Sequence, residues 1–149
     1  MQLKRVFRLL LIAMAVSVFA SGCAINRATA TVDPSANLGQ LRTLEVKQLE
    51  GEDGTIRKLI AGNLRKRGYE VTDDGKPPVK VDAVVTYVDR WVWDITMYLL
   101  ELTVTIREPK TEFPLASGNS FHTSLTRLSA PAMVDEVMGN IFRTSEKTK

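Results

Sequence analysis

Tyr98-Leu99-Leu100-Glu101-Leu102-Thr103-Val104-Thr105-Ile106-Arg107 is the stretch that decides the fold, because its side chains alternate. Tyr98, Leu100, Leu102, Val104 and Ile106 share one parity, and Glu101, Thr103, Thr105 and Arg107 the other. Successive side chains of a strand point to opposite faces, so this period of two predicts a half-buried antiparallel strand with a polar outer face. The segment upstream repeats the pattern, with Val79, Val81, Ala83, Val85 and Tyr87 set against Lys80, Asp82 and Thr86. Downstream, Glu108-Pro109-Lys110-Thr111 predicts a turn and residues 115–125 a third strand. Gly118 inside that strand marks a bulge or a close approach of packed side chains. Nearer the start, residues 41–49 alternate weakly and read as a strand. Residues 69–72 form a short one before a loop at Asp73-Asp74-Gly75-Lys76-Pro77-Pro78.

Two helices complete the pattern. Ile56, Leu59, Ile60 and Leu64 recur at helical spacing and predict a helix over residues 55–67. Asp53 or Thr55 caps its start, and Gly68 stops it with Tyr69 folding back on Leu64. Arg65, Lys66 and Arg67 then lie in the last turn, where the helix dipole favours cations. A phosphate or lipid-headgroup site is the sharper alternative for the same three residues. The last helix runs from Ser129 or Ala130 to about Phe142. Ser129 is its N-cap, Pro131 lies in its first turn, and Asp135 and Glu136 lie early. Val134, Val137, Met138 and Ile141 form its core stripe. The predicted class is α+β: a mainly antiparallel sheet with two helices packed on one face, in the order β-α-β-β-β-β-α.

Residues 1–22 carry the marks of an export signal. Lys4, Arg5 and Arg8 precede an apolar run over residues 9–20. As a helix that run rises about 18 Å at 1.5 Å per residue, short of a hydrocarbon core of roughly 30 Å. Ala20-Ser21-Gly22-Cys23 then matches a lipobox, with Ala20 where Leu is preferred. Small residues let extended backbone enter a narrow peptidase site, and the thiol is free to take a diacylglyceryl thioether. Cys23 is the one cysteine of the chain, so it has no intramolecular disulfide partner. The alternatives are a secretory signal with an incidental cysteine and an N-terminal anchor that is retained. The expected organisation is a signal peptide at 1–22, a lipidated Cys23 leading a flexible tether at 23–37, an α+β domain at 38–143, and a disordered tail at 144–149. Ala24 follows the cysteine where Asp signals inner-membrane retention in lipoproteins. The expected address is therefore the periplasmic face of a bacterial outer membrane, held by acyl chains on Cys23.

Charge and motif narrow the function. Three of the 20 basic residues and none of the 17 acidic ones precede Cys23, which leaves 17 of each from Cys23 onward. A chain of zero formal charge has no phosphate-neutralising field, so nucleic acid is not an expected partner. No Gly-x-Ser-x-Gly elbow frames a nucleophile, and Gly51 and Gly54 lack nucleotide-loop spacing. His122 is the lone histidine, expected as a surface residue of a strand. With one histidine and an acylated cysteine there is no metal ligand set, and no cofactor is expected. Asp82, Asp89, Asp94 and Glu101 read as solvated strand and turn carboxylates rather than an acid–base pair. The chain is expected not to be an enzyme.

Trp91 to Tyr98 is the segment with chemistry to offer. Trp91 and Trp93 lie two apart and share a face in extended geometry, and Met97 and Tyr98 follow near a hairpin end. Such residues are enriched at protein interfaces and wet membrane boundaries. The alternative is that both indoles close the core beneath the helices. Asp33-Pro34-Ser35, Leu64-Arg65-Lys66-Arg67-Gly68-Tyr69, Trp91-Val92-Trp93-Asp94-Ile95-Thr96-Met97-Tyr98, Pro109-Lys110-Thr111 and Ala116-Ser117-Gly118 resemble small proteobacterial lipoproteins of unassigned function. The resemblance covers nearly the whole chain after Cys23. It implies fold and location, and at fold level it is similar to lipoproteins that assist outer-membrane assembly or lipid transport. The expectation is a lipid-anchored periplasmic binding or scaffolding domain with an envelope protein partner. The alternative is a transport accessory with an amphiphile-binding groove.

Overall fold

The period of two becomes a long hairpin. β4 (Ala83–Asp94) and β5 (Thr96–Arg107) pair antiparallel along their length. The computed structural model describes residues 25–72 and 80–148; the signal segment, Cys23, Ala24, the loop at 73–78, Val79 and Lys149 lie outside the described residues. β6 (Pro114–His122) adds antiparallel to β5, and β1 (Asn26–Val32) antiparallel to β6. On the other flank β2 (Thr43–Val46) pairs parallel with β4, and β3 (Glu70–Thr72) parallel with β2. The sheet order is therefore β1-β6-β5-β4-β2-β3. From β2 onward the chain follows the predicted order β-α-β-β-β-β-α.

Both helices cover one face. α1 (Thr55–Lys66) packs on β2 and β3, α2 (Ala130–Lys147) on β1, β5 and β6, and the two helices touch. The core lies between them and the sheet. Ile56, Ile60, Leu64, Val134, Val137, Met138 and Ile141 meet Leu44, Val46, Val85, Tyr87, Leu102, Val104 and Ile106. The ladder sets Val85 against Ile106 and Tyr87 against Val104, so the predicted parities meet on one face. Gly68, at φ +92°, stops α1, and Tyr69 N–H donates to the Leu64 carbonyl at 3.2 Å. The basic last turn is partly tied down: Arg65 holds the Val71 carbonyl, and Arg67 lies over the Phe142 ring at 4.6 Å. Among the described residues, no helix is long and apolar enough to cross a membrane.

Three details differ from the expectation, each through a contact distant in sequence, and a fourth decides between two alternatives. Residues 26–32, read as tether, form β1. Their polar, small composition gives no burial signal, yet β6 offers an open edge whose N–H and C=O groups they pair. Residues 144–147, read as tail, continue α2, and Ser145 is buried. In β5 it is Leu99, rather than Leu100, that is buried. Arg90 pairs with Glu101 but Trp91 with Leu99, so a bulge at this point exchanges the parity. At Gly118, of the two predicted alternatives, close packing is the one realised: a Cβ there would lie 2.8 Å from Ile141 Cγ1 and 3.0 Å from Val137 Cγ1.

Candidate functional site

β4 and β5 run on past the rest of the sheet. The β6 ladder reaches β5 no further than the Glu101–Phe121 pair, and β2 pairs with β4 only at residues 83–85. Residues 91–98 therefore stand as a two-stranded ribbon, closed by the Trp93–Met97 and Asp94–Thr96 pairs. A bare ribbon is marginal in water, and polar contacts brace this one. Trp91 Nε1 donates to Asp89 Oδ2 at 2.7 Å. Arg127, on the connection to α2, donates from Nη1 to Thr96 Oγ1 at 2.9 Å and reaches the Asp94 carboxylate at 3.9 Å. Its guanidinium also lies 4.6 Å from the Tyr98 ring centre.

Residues opposite one another across a ladder share a face. Trp91 thus sides with Leu99 and Trp93 with Met97, on the parity that carries Val85 and Tyr87 lower down. Leu99 still belongs to the core at 1% exposure, but beyond it the cover thins: Trp91 is 42%, Met97 56% and Trp93 72% exposed. Tyr98, the fourth residue singled out, goes elsewhere. It faces Val92, sits beneath Arg127, and is 9% exposed. The tip adds a residue that the sequence reading did not single out. Ile95 is 85% exposed with φ +62°. A β-branched side chain in that region is an outlier at about 1–2 kcal/mol, which Gly or Asn would largely avoid. Its signal was present in Trp93-Asp94-Ile95-Thr96-Met97, a turn with an apolar residue where a turn former is expected.

The ribbon is the centre of a larger apolar end. β1 and β5 begin there, and β4 and β6 finish there. Of the eight large hydrophobics exposed among the described residues, six belong to this end: Ile25, Trp91, Trp93, Ile95, Met97 and Leu125. Ile25 is held to the 3-10 turn Ser124–Thr126, because its carbonyl accepts from Thr123 N–H and Thr126 Oγ1, each at 3.2 Å. The end presents aromatic and aliphatic surface with the Trp93 indole N–H as a polar handle, the Trp91 N–H being held by Asp89. Chemically it can bind.

A second cluster corrects the expectation for His122. The ring lies beneath α2 and is 3% exposed. Its Nε2 is 2.9 Å from Glu136 Oε2, and its Nδ1 is 2.9 Å from the Thr126 carbonyl. Ser120 Oγ donates to the same Glu136 oxygen at 2.5 Å. Serine and histidine thus converge on one carboxylate oxygen, instead of the histidine standing between serine and acid as a nucleophilic relay requires. Burial pushes the Glu136 carboxyl up, but the Ser120 and His122 hydrogen bonds outweigh it and hold the group below its usual value. The cluster pins α2 to β6.

The four acidic residues weighed as an acid–base set are dispersed. Asp82 Oδ2 accepts from the N–H groups of Arg42 and Thr43 at 2.8 and 3.0 Å, which lowers its pKa and clamps β2 to the start of β4. Glu101 receives Asn119 Nδ2 at 3.0 Å and Arg90 at 3.5 Å, and Asp94 faces Arg127. Asp89 carries the Trp91 indole and lies near Glu52, a residue the sequence reading passed over. Burial and that neighbouring carboxylate push Glu52 up to about 7. Burial and Glu52 together push Tyr87 up to about 12.

No family model matches the chain, and no curated protein matches it in sequence. Among solved structures, a PelC variant dodecamer from Paraburkholderia phytofirmans is similar, with TM-score 0.56 and 13% identity over 78% of this chain and 97% of that one. A second PelC dodecamer from the same organism gives TM-score 0.54 and 11% identity over 81% and 97%. A minor lipoprotein from Acinetobacter baumannii aligns over 72% of this chain and 92% of its own at 15% identity, with TM-score 0.35. The likeness to PelC is one of fold.

Proposed function

We propose that this chain is a lipid-anchored domain of the bacterial envelope that binds or scaffolds a partner and catalyses no reaction. The observation that carries the reading is the ribbon at 91–98: Trp91, Trp93, Ile95 and Met97 are exposed together on a braced support. Exposed aromatic patches of this kind mark interaction surfaces. The lipobox at Cys23 supports an acyl anchor, and Ala24 supports the outer membrane, periplasmic side. Two or three acyl chains supply stable attachment where one chain does not, at about 0.8 kcal/mol per buried CH₂.

Less supports an amphiphile groove between helices and sheet. That space is filled by Ile60, Leu64, Val104, Ile106, Met138 and Ile141. A cavity of about 730 Å³ lies at the opposite end of the sheet, where Leu38, Leu41 and Leu115 meet the charged Lys80, Glu108 and Lys110.

The test has two arms in cells. Cys23→Ser removes the thioether acceptor, so the chain should accumulate as uncleaved precursor or soluble protein. A variant that migrates and fractionates as the parent does overturns the anchor. A photocrosslinker at Trp93 should then capture an envelope component above the background set by one at Lys110. Equal capture from both positions would remove the ribbon as a binding surface.

A further inference from the structure

We propose that the occupant of the aromatic ribbon is the surface of the lipid bilayer itself, into which the tip dips beside the acyl anchor. The inference rests on the lipid-anchor reading and names the partner of the same surface. Its basis is where the chain enters the fold. β1 starts at the ribbon end, with Asn26 opposite His122 and Arg27 opposite Phe121, which in turn faces Glu101. Cys23 precedes Arg27 by four residues, so its Cα can stand at most roughly 14 Å beyond that level at 3.3–3.6 Å per residue, with the sulfur one side-chain length further. Leu100 is the extra residue of the bulge, so the ribbon climbs five residues from the Arg90–Glu101 level to Ile95, about 16 Å at 3.3 Å per residue. Even a fully extended tether thus leaves the ribbon tip beside the acyl anchor, and any shorter path brings the tip nearer to the bilayer. Tip and anchor therefore reach about the same level at the same end of the sheet, which brings the exposed side chains of the tip to the boundary where interfacial apolar faces settle about 5–10 Å deep.

The chemistry of the end agrees. Six of the eight large hydrophobics exposed among the described residues lie there, Ile25 and Leu125 on the rim and Ile95 at the tip. Trp91 and Trp93 present indoles, which favour the headgroup boundary. Ile95 occupies a φ of +62° where its side chain does nothing for the fold of the described residues, so the apolar group serves contact outside the chain. The cations of the ribbon and its brace are already paired, Arg90 with Glu101 and Arg127 with Asp94, and Arg27 is the further cation at this end. Docking is therefore driven by apolar burial, and it should depend little on anionic lipid or on salt.

The chain contains two tryptophans, and both are in the ribbon, so its own fluorescence reports the site. The lipidated full chain would be placed in phosphatidylcholine vesicles carrying either brominated lipid or iodide in the buffer. Lipid-borne bromine near the headgroups should quench the indoles, and iodide should lose at least about half of its effect relative to the chain in detergent-free Cys23→Ser form. Adding one-third phosphatidylglycerol or 0.5 M salt should leave the pattern unchanged. Ile95→Asn, which suits the positive φ, should leave the thermal midpoint equal or higher while lowering bromine quenching at least about twofold. Indoles that stay open to iodide and untouched by bromine in the anchored chain overturn the proposal. If Trp93 also captures a protein in cells, the binding surface then stands with a protein as its occupant. If Cys23→Ser changes neither fractionation nor quenching, the anchor fails and the proposal fails with it.

Discussion

The lower and upper halves of the β4–β5 hairpin share one backbone design and meet opposite surroundings. Below the bulge, Val85 and Tyr87 face Ile106 and Val104 and are closed in by the helices. Above it, Trp91 and Trp93 occupy the same parity of β4, with Met97 across from them, and lie open. Alternation selects a face of a strand. Whether that face becomes interior depends on the reach of the helices, which pack on β1, β2, β3, β5 and β6. One hairpin thus supplies both a piece of core and an unpartnered apolar surface.

The largest effects should fall on the lower half. Leu102→Ala and Leu64→Ala remove fully buried side chains from the helix–sheet interface, and each should cost about 2–5 kcal/mol. Trp93→Ala, a larger truncation in the upper half, should cost less than about 0.5 kcal/mol, because its surroundings do not close over it. Urea melts of the three variants separate the halves, and a loss at Trp93 as large as at Leu102 would erase the distinction.

Gly118→Ala should cost about 1–3 kcal/mol, since the new methyl meets Ile141 and Val137 at distances that side chains do not occupy. A thermal melt unchanged from the parent would mean that α2 rides higher over β6 than described.

Two carboxyls bracket the pH dependence. The Glu136 pKa is lowered in the fold from 4.5, so its contribution is complete above that value and is lost as pH falls through the depressed one. Glu136→Gln should cost about 1–3 kcal/mol at neutral pH and flatten the acid limb of the melting curve. Glu52 has the opposite sign. Raised from 4.5 to about 7, it favours the folded chain at low pH, and stability drains away as pH rises between those values. Glu52→Gln should remove that decline and leave a higher thermal midpoint at pH 8. A decline identical to the parent's would show that the carboxyl ionises freely beside Asp89.

Lys66→Ala should have the smallest effect, under about 0.5 kcal/mol, because Lys66 is exposed at the end of α1 while Arg65 and Arg67 hold its neighbours. A larger loss would point to a structural duty for the third cation.

Legibility followed the range of the interactions involved. The stop at Gly68-Tyr69, the Ser129 cap that receives Ala132 N–H, and the stripes of both helices depend on residues within a few positions of one another, so they could be read in order. The binding surface was half legible. Two tryptophans spaced by two announce a shared face, and Tyr98 was counted among them because nothing local signals the Arg127 guanidinium that covers it. His122 was misjudged for the same reason: Glu136, which accounts for its burial, lies fourteen positions downstream on another element.

By itself the sequence determined the repeating units: the parities of β4 and of β5 below its bulge, the apolar stripes of α1 and α2, and a cysteine motif that proposes an anchor. These are local because backbone geometry imposes periods of 2 and 3.6 on any chain that adopts strand or helix. Only the tertiary structure decided that residues 26–32 become an edge strand and that Leu99 takes the buried place expected of Leu100. It alone brought Ile25 and Leu125 to the end that bears Trp93 and Ile95. Those outcomes depend on which distant segment arrives alongside. A free β-edge or an uncovered apolar face is a property of neighbours in space, and adjacency in the chain carries no record of it.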